Sequence, residues 1–208
     1  MTGISHLIIG GSISVATLSL ATDDPVQLIM GTAIGTTASI LPDIDAENSL
    51  FQVAVDLKYP KATNTIISRY RRNFIEDVLY MLLSTIEIAI RVVIVSLIGI
   101  LKSFTKHRGS IHSLTAMAIF ALVGIAISYI FQVDYIYSIV FAIGYTTHLL
   151  SDALTVSGVK LFSPFSKRII NLLPKQSSLK TRNRMSLEEA LVVSIVASLS
   201  FLVIIYFA

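Results

Sequence analysis

Five long apolar segments constrain what this chain can fold into. They lie at about 4–20, 26–41, 111–131, 135–151 and 187–208. Apolar runs of about this length with few charges are typical of membrane-spanning helices. Since 54% of the residues are hydrophobic and only 14% are charged, a water-soluble domain of 208 residues would lack polar cover. The sequence predicts an all-α, polytopic membrane bundle of about five transmembrane helices, forming a single domain over 1–208.

The basic residues predict which loops face the cytoplasm. If 1–6, 42–77, 102–110 and 152–186 share one side, they hold fifteen of the sixteen Lys and Arg residues. Cytoplasmic loops carry such an excess of positive charge. We therefore expect a multi-pass protein of the cell (inner) membrane, with a basic cytoplasmic loop at 160–185 lying on the anionic leaflet.

A further apolar stretch, 78–101, has two interpretations. Basic clusters flank both of its ends, and Glu87 and Arg91 belong to a narrow polar stripe at helical spacing. We interpret it as one interfacial or re-entrant helix within an insert at 50–106. The alternative is a true span whose polar stripe packs inside the bundle.

Two shorter patterns predict local structure. Gly31-x-x-x-Gly35 lies in the short segment 26–41 and predicts a helix packed closely against its neighbours. Ser186-Leu187-Glu188-Glu189 is a capping-box pattern that marks the start of the last helix.

All four histidines of the chain lie at the edges of apolar segments. His148 and Asp152 are four residues apart, so on a helix both side chains can reach one ion. A capping Asp beside a hydrogen-bonded His would explain this pair equally well. Pro42 forces a turn in which Asp43 and Asp45 present two carboxylates, although a solvated helix terminus has the same pattern.

The segment before 111–131 combines two histidines with an arginine. His107 and Arg108 precede this span and His112 is its second residue, with Ser110 as a candidate N-cap. A helix N-terminus beside an arginine favours a phosphate-like anion. A cytoplasmic anchor would explain Arg108 but neither histidine. His6, at the start of the first span, is the most isolated candidate.

Under the charge-derived topology, seven candidate metal ligands converge on one membrane face. They are His6, Asp43, Asp45, His107, His112, His148 and Asp152. Thiolate sites are excluded because the chain has no cysteine. Seven nitrogen and oxygen ligands suit one or two divalent ions, with zinc fitting best and manganese or iron also compatible.

Several of these motifs, taken together, resemble a known family. They are His6, Leu41-Pro42-Asp43-Ile44-Asp45, His107-Arg108-Gly109 with His112-Ser113, Gly144-Tyr145 with His148-Leu149 and Asp152, and Leu161 to Phe165. In this order they resemble the YdjM-like family of inner-membrane proteins assigned as metal-dependent hydrolases. The resemblance implies a helical, membrane-embedded hydrolase, distantly similar to zinc-dependent phospholipase C, whose sites use a His-x-x-x-acid helix.

We expect metal-assisted hydrolysis of a phosphoester in a lipid or lipid-linked substrate. Arg108 would stabilise developing negative charge, and Asp45 or Asp43 would act as general base. Membrane lipids are the expected partners, and nucleic acid is not expected because no basic helix interleaved with aromatic residues is present. The alternatives are an ion-coupled transporter or a non-enzymatic scaffold with a structural metal. Oligomeric state is not indicated by the sequence.

Overall fold

A computed structural model describes residues 1–45, 111–180 and 185–207 of the chain. Within these ranges the regular structure is helical, apart from two isolated β-bridges. The α-helices are α1 (Gly3–Ser19), α2 (Pro25–Ala38), α3 (Leu114–Phe131), α4 (Ile136–Ala153) and α5 (Leu187–Phe207), and a short 3-10 helix, Leu41–Asp45, follows α2. The all-α prediction is confirmed for this part of the chain. The predicted insert at 50–106, with the interfacial or re-entrant helix expected at 78–101, lies outside the described residues.

Two of the described helices are long and apolar enough to cross a membrane. These are α3 and α5, judged by length and composition, while α1 is apolar but shorter. Large apolar side chains such as Leu122 on α3 and Ile195 on α5 are exposed, as expected of helices that face lipid. Each predicted apolar segment therefore contains one helix, but only two of them are candidate spans by this test.

The helix ends differ in detail from the sequence prediction. The N-cap of α3 is Ser113, whose side chain accepts a hydrogen bond from the Ala116 amide, so the expected start at Ser110 is wrong. The extended backbone at Ser113 places its hydroxyl over the first turn, as N-caps require. The α2 helix ends at Ala38 rather than residue 41, because the chain tightens into the 3-10 helix that carries Asp43.

Glycines allow the helices around α4 to approach closely. The α1 helix packs on α2, α4 and α5, and α4 also packs on α2 and α3. A Cβ placed on Gly144 of α4 would overlap the backbone carbonyl of Gly35 on α2, and one on Gly31 would lie 2.8 Å from Leu18 Cδ1. The close packing predicted from the glycine spacing is therefore present.

The chain that follows α4 packs back against the end of that helix. One isolated β-bridge joins Thr155 to Leu179, and another joins Val159 to Ile170. The amide of Leu172 donates to the Ala153 carbonyl at 2.8 Å, and the amide of Leu114 donates to the Leu161 carbonyl at 2.9 Å. This segment therefore ties the C-terminus of α4 to the N-terminus of α3.

Candidate metal centre

Five of the predicted ligands come together at one end of the helical bundle. His6 lies in the first turns of α1, Asp43 in the 3-10 helix after α2, and His112 just before α3. His148 and Asp152 lie in the last turns of α4. Because successive helices run in opposite directions, the N-terminal ends of α1 and α3 lie beside the C-terminal ends of α2 and α4.

Asp152 lies at the centre of this cluster. Its Oδ2 is 3.4 Å from His148 Nε2 and 3.8 Å from His112 Nε2. Its Oδ1 is 3.3 Å from His6 Nε2 and 3.0 Å from the Met1 amino group. The two oxygens of one carboxylate thus face two groups of partners, with His112 and His148 on one side and His6 on the other.

Asp43 completes the first group. Its Oδ1 lies 3.3 Å from His112 Nε2 and 3.7 Å from His148 Nε2. One ligand atom from each of Asp43, His112, His148 and Asp152 falls within 4.8 Å of all the others. Zinc bonds of about 2.0–2.1 Å at tetrahedral angles place ligand atoms about 3.3 Å apart, so this spacing suits a single ion.

The hydrogen bonding of His148 prepares one ring nitrogen for a metal. Its Nδ1 lies 2.7 Å from the carbonyl oxygen of Ser39. A carbonyl can only accept, so Nδ1 carries a proton, and in the neutral ring Nε2 keeps its lone pair. Nε2 is buried and has no hydrogen-bond partner. A backbone carbonyl that fixes the tautomer and orientation of a ligating histidine is a common feature of metal sites.

His6 is a second buried imidazole without satisfied nitrogens. Only 1% of the residue is exposed, and neither ring nitrogen has a hydrogen-bond partner. Its ring stacks on that of His148, with centroids 3.9 Å apart. Although Nε2 lies close to Asp152, the contact lacks hydrogen-bond geometry. A buried polar atom without a hydrogen-bond partner destabilises the folded protein. A bound cation would give Nε2 of His6 a partner.

The carboxylate of Asp43 is held in its charged form. Burial by itself would raise the pKa of this carboxyl, but the hydrogen bond with His112 and the neighbouring rings of His148 and His6 keep its pKa below the ordinary value. Asp43 is therefore ionised at neutral pH, as a metal ligand has to be.

Residues around the cluster position the ligands. The Tyr145 hydroxyl donates to the Ile111 carbonyl at 2.6 Å, directly before His112. The Ser39 hydroxyl donates to the His6 carbonyl at 2.9 Å and so ties α2 to α1. Glu189 of α5, 2% exposed, accepts hydrogen bonds from the Ser5 hydroxyl at 2.5 Å and the Thr2 amide at 2.6 Å.

Sequence reasoning identified some of these positioning residues and missed others. Tyr145 stands within the motif that resembles the family. Glu189 was interpreted only as part of a capping box. Its amide does donate a hydrogen bond to the Ser186 hydroxyl at 3.2 Å, but its carboxylate accepts hydrogen bonds from Thr2 and Ser5 at the start of α1. Ser39 contributes to the site chiefly through its backbone carbonyl, which accepts a hydrogen bond from His148. Every residue has such a carbonyl, so the sequence could not single out Ser39.

The remaining candidates have no described side-chain position. His107 and Arg108 lie outside the described residues, and for Asp45 only its place at the end of the 3-10 helix is given. The five described candidates form a site of nitrogen and oxygen donors that fits a divalent ion, and the buried, unpartnered Nε2 of His148 and both unpartnered nitrogens of His6 are the observations that support this fit.

Comparison with protein families gives the same assignment as the motifs. A family model described as YdjM inner membrane protein matches residues 1–208. The chain belongs to the YdjM family. Membership confirms the predicted family and makes this an inner membrane protein. A comparison with curated proteins and another with solved structures each gave no match. The site of this YdjM-family protein is therefore interpreted from its own geometry.

Proposed function

We propose that this YdjM-family protein is a metal-dependent hydrolase that cleaves a phosphoester in a lipid or lipid-linked substrate. The observation that carries the proposal is His148. Its Nδ1 is engaged by the Ser39 carbonyl, while its buried Nε2 has no hydrogen-bond partner and lies 3.4 Å from Asp152 and 3.7 Å from Asp43. In this arrangement the neutral His148 ring directs Nε2 toward both carboxylates, as a metal-ligating histidine does.

Zinc is the metal that we propose, because imidazole and carboxylate ligands suit it, and manganese or iron accept the same groups. Asp43, His112, His148 and Asp152 would hold one ion, and His6 with the other oxygen of Asp152 would contribute to a second. Bound there, such ions would lower the pKa of a coordinated water and polarise a phosphoryl oxygen.

Three further residues have proposed roles from their sequence positions. Asp45 is the proposed general base, since Asp43 belongs to the group of metal ligands. Arg108 is four residues before His112 in the chain and would bind the phosphoryl group and stabilise its developing charge. His107 is proposed as an additional ligand.

We place the site at the cytoplasmic face of a multi-pass bundle of about five spans. Several observations support this topology. The ligands lie at neighbouring helix ends, and the segment after α4, whose exposed residues include Lys167, Arg168 and Lys175, packs at the same end. Basic residues favour the cytoplasmic side and anionic lipid. A site at that depth meets phosphate headgroups, which is why a lipid substrate is favoured.

Elemental analysis of the detergent-purified protein tests the metal centre. We expect about one or two equivalents of zinc per chain, falling at least tenfold in His148→Ala and Asp152→Asn. Asp23→Asn is the matched control, because Asp23 is an exposed carboxylate in the loop between α1 and α2. It should bind as much metal as the wild type. Equal metal content in all four proteins would contradict the proposal.

A structural metal is the second candidate, and one observation favours it. Asp43, His112, His148 and Asp152 would saturate a tetrahedral ion, as closed structural sites do. Hydrolysis of bis(p-nitrophenyl) phosphate and of phospholipid vesicles separates the two functions. Metal-dependent turnover lost in Asp152→Asn supports the hydrolase. Metal-dependent thermal stability without turnover supports the scaffold.

A further inference from the structure

An apolar groove runs between α1, α3 and α4. It has a volume of about 660 Å³, is open on one side, and is lined by residues that include Ile13, Ala121, Ile125, Ile139, Ile143 and Leu150. Cavities of this size hold small organic ligands. The volume is sufficient for an extended hydrocarbon chain.

One end of the groove lies at the turn of α4 that carries His148. Its lining includes Thr147 and Leu150, which flank His148 on α4, and it extends to Tyr135 at the opposite end of that helix. At 1.5 Å per residue, the stretch from 135 to 150 is about 22 Å long. One leaflet of a hydrocarbon core about 30 Å thick is about 15 Å deep. The groove is therefore long enough for an acyl chain that extends through one leaflet.

The groove offers almost only carbon atoms to an occupant. Its lining contains no charged residue. The hydroxyls of Thr146 and Thr147 donate to carbonyls of their own helix, Ala142 and Gly144, both at 2.7 Å. Ser138 is hydrogen-bonded to Ser128 at 3.1 Å. Because these hydroxyls already have partners, a polar ligand would gain little here, and a hydrocarbon chain fits the surface best.

We infer that this groove, defined by α1, α3 and α4, binds one acyl chain of a glycerophospholipid whose phosphate lies at the metal centre. The inference rests on the proposed function and narrows its substrate class. Lipid tails are as apolar as the lining side chains, so the groove does not select by hydrophobicity. It selects by position, since a chain seated along α4 ends with its headgroup beside His148 and Asp152.

Photolabelling of the full-length protein tests the occupant. The probe is phosphatidylglycerol with a diazirine midway along one acyl chain, incorporated into phosphatidylglycerol nanodiscs. Mass spectrometry should find label on Ala121, Ile125 and Ile143 at least fivefold above Ile195 and Leu199, which are exposed apolar residues of α5 outside the groove. Equal labelling of the two sets, or a cross-linked second copy of the chain at the groove, would overturn the inference.

Groove-filling variants give a second measurement. Ala121→Trp and Ala142→Trp should lower groove labelling at least fivefold. Ala118→Trp is the matched control, because Ala118 lies one turn from Ala121 on α3 and is exposed outside the groove. Its labelling should stay within twofold of wild type. Retained labelling in both filling variants would argue against the groove, and the wild-type map remains decisive if a variant fails to fold.

Failure of the groove and failure of the hydrolase are distinguishable. In His148→Ala, which removes a proposed ligand but leaves the groove lining intact, groove labelling should persist within twofold. Filled variants should still hydrolyse the soluble bis(p-nitrophenyl) phosphate while losing activity on long-chain phospholipid. If labelling is absent but metal-dependent hydrolysis of the soluble ester persists, only the acyl-chain inference is wrong.

Discussion

Replacement of Gly144 by alanine tests whether backbone contact between α2 and α4 holds the metal centre together. The added Cβ would lie 2.8 Å from the carbonyl carbon of Gly35, and its carbonyl oxygen is closer still. Nonbonded carbon atoms prefer separations of about 3.5–4.0 Å. A backbone group cannot rotate away as a side chain can, so the two helices have to separate by about 0.7 Å or more.

That displacement acts on ligands that Gly144 itself does not contact. The α2 helix leads to Ser39 and Asp43, and α4 carries His148 and Asp152. Metal-ligand distances tolerate about 0.2 Å, and loss of supporting contacts typically costs 10–100-fold in metal affinity. We expect Gly144→Ala to bind zinc about 10–100-fold more weakly, equal to about 1.4–2.8 kcal/mol. This range agrees with the usual cost of overpacking, about 1–3 kcal/mol.

Competition between the purified protein and a zinc-chelating dye measures this loss. The matched control is Gly124→Ala on α3, whose Cβ would lie 3.1 Å from the Ser138 hydroxyl oxygen, a side-chain atom that can move. Helix propensity even favours alanine there by about 1 kcal/mol, so its affinity should stay within twofold of wild type. If Gly144→Ala bound zinc within threefold of wild type, close backbone contact would not be what positions the ligands.

Three other expectations concern single residues. Glu189→Ala should lower the free energy of unfolding by about 1.5–3 kcal/mol because it removes the acceptor of the Thr2 amide and the Ser5 hydroxyl, whereas Glu188→Ala should change it little in the same thermal scan. Tyr145→Phe should weaken zinc binding several-fold by freeing the segment before His112, and an unchanged affinity would show that the hydroxyl is dispensable. Since the chain has no cysteine, Asp23→Cys and Lys175→Cys can be labelled in intact cells with an impermeant maleimide. We expect labelling of the first only, and the reverse pattern would contradict the proposed orientation.

Much of the helical framework was predictable because apolar runs and helices coincide. The i,i+4 spacing of His148 and Asp152 predicts one helical face, and in α4 their side chains lie 3.4 Å apart. The spacing of Gly31 and Gly35 predicts close packing, which the contacts of both residues bear out. These patterns are local, so the sequence contains them directly.

Contacts between distant segments were less predictable. Apolar helices resemble one another in composition, and small residues that fit a neighbour decide which pairs pack, as Gly144 does against α2. The carboxylate of Glu189 follows the hydrogen bonds that α1 offers, Ser5 and Thr2, rather than the capping box that its sequence position predicts. The role of Ser39 depends on a carbonyl that every residue possesses.

The bond between His148 and the Ser39 carbonyl has a consequence for biosynthesis. The two residues are 109 positions apart, which a ribosome adding about 5–20 residues per second covers in roughly 5–20 seconds. During that interval the nascent N-terminal hairpin offers His6 and Asp43 but no complete ligand set. Loading of the proposed metal would therefore be a late event in the maturation of this protein, because an ion on the first hairpin would have only two of its ligands.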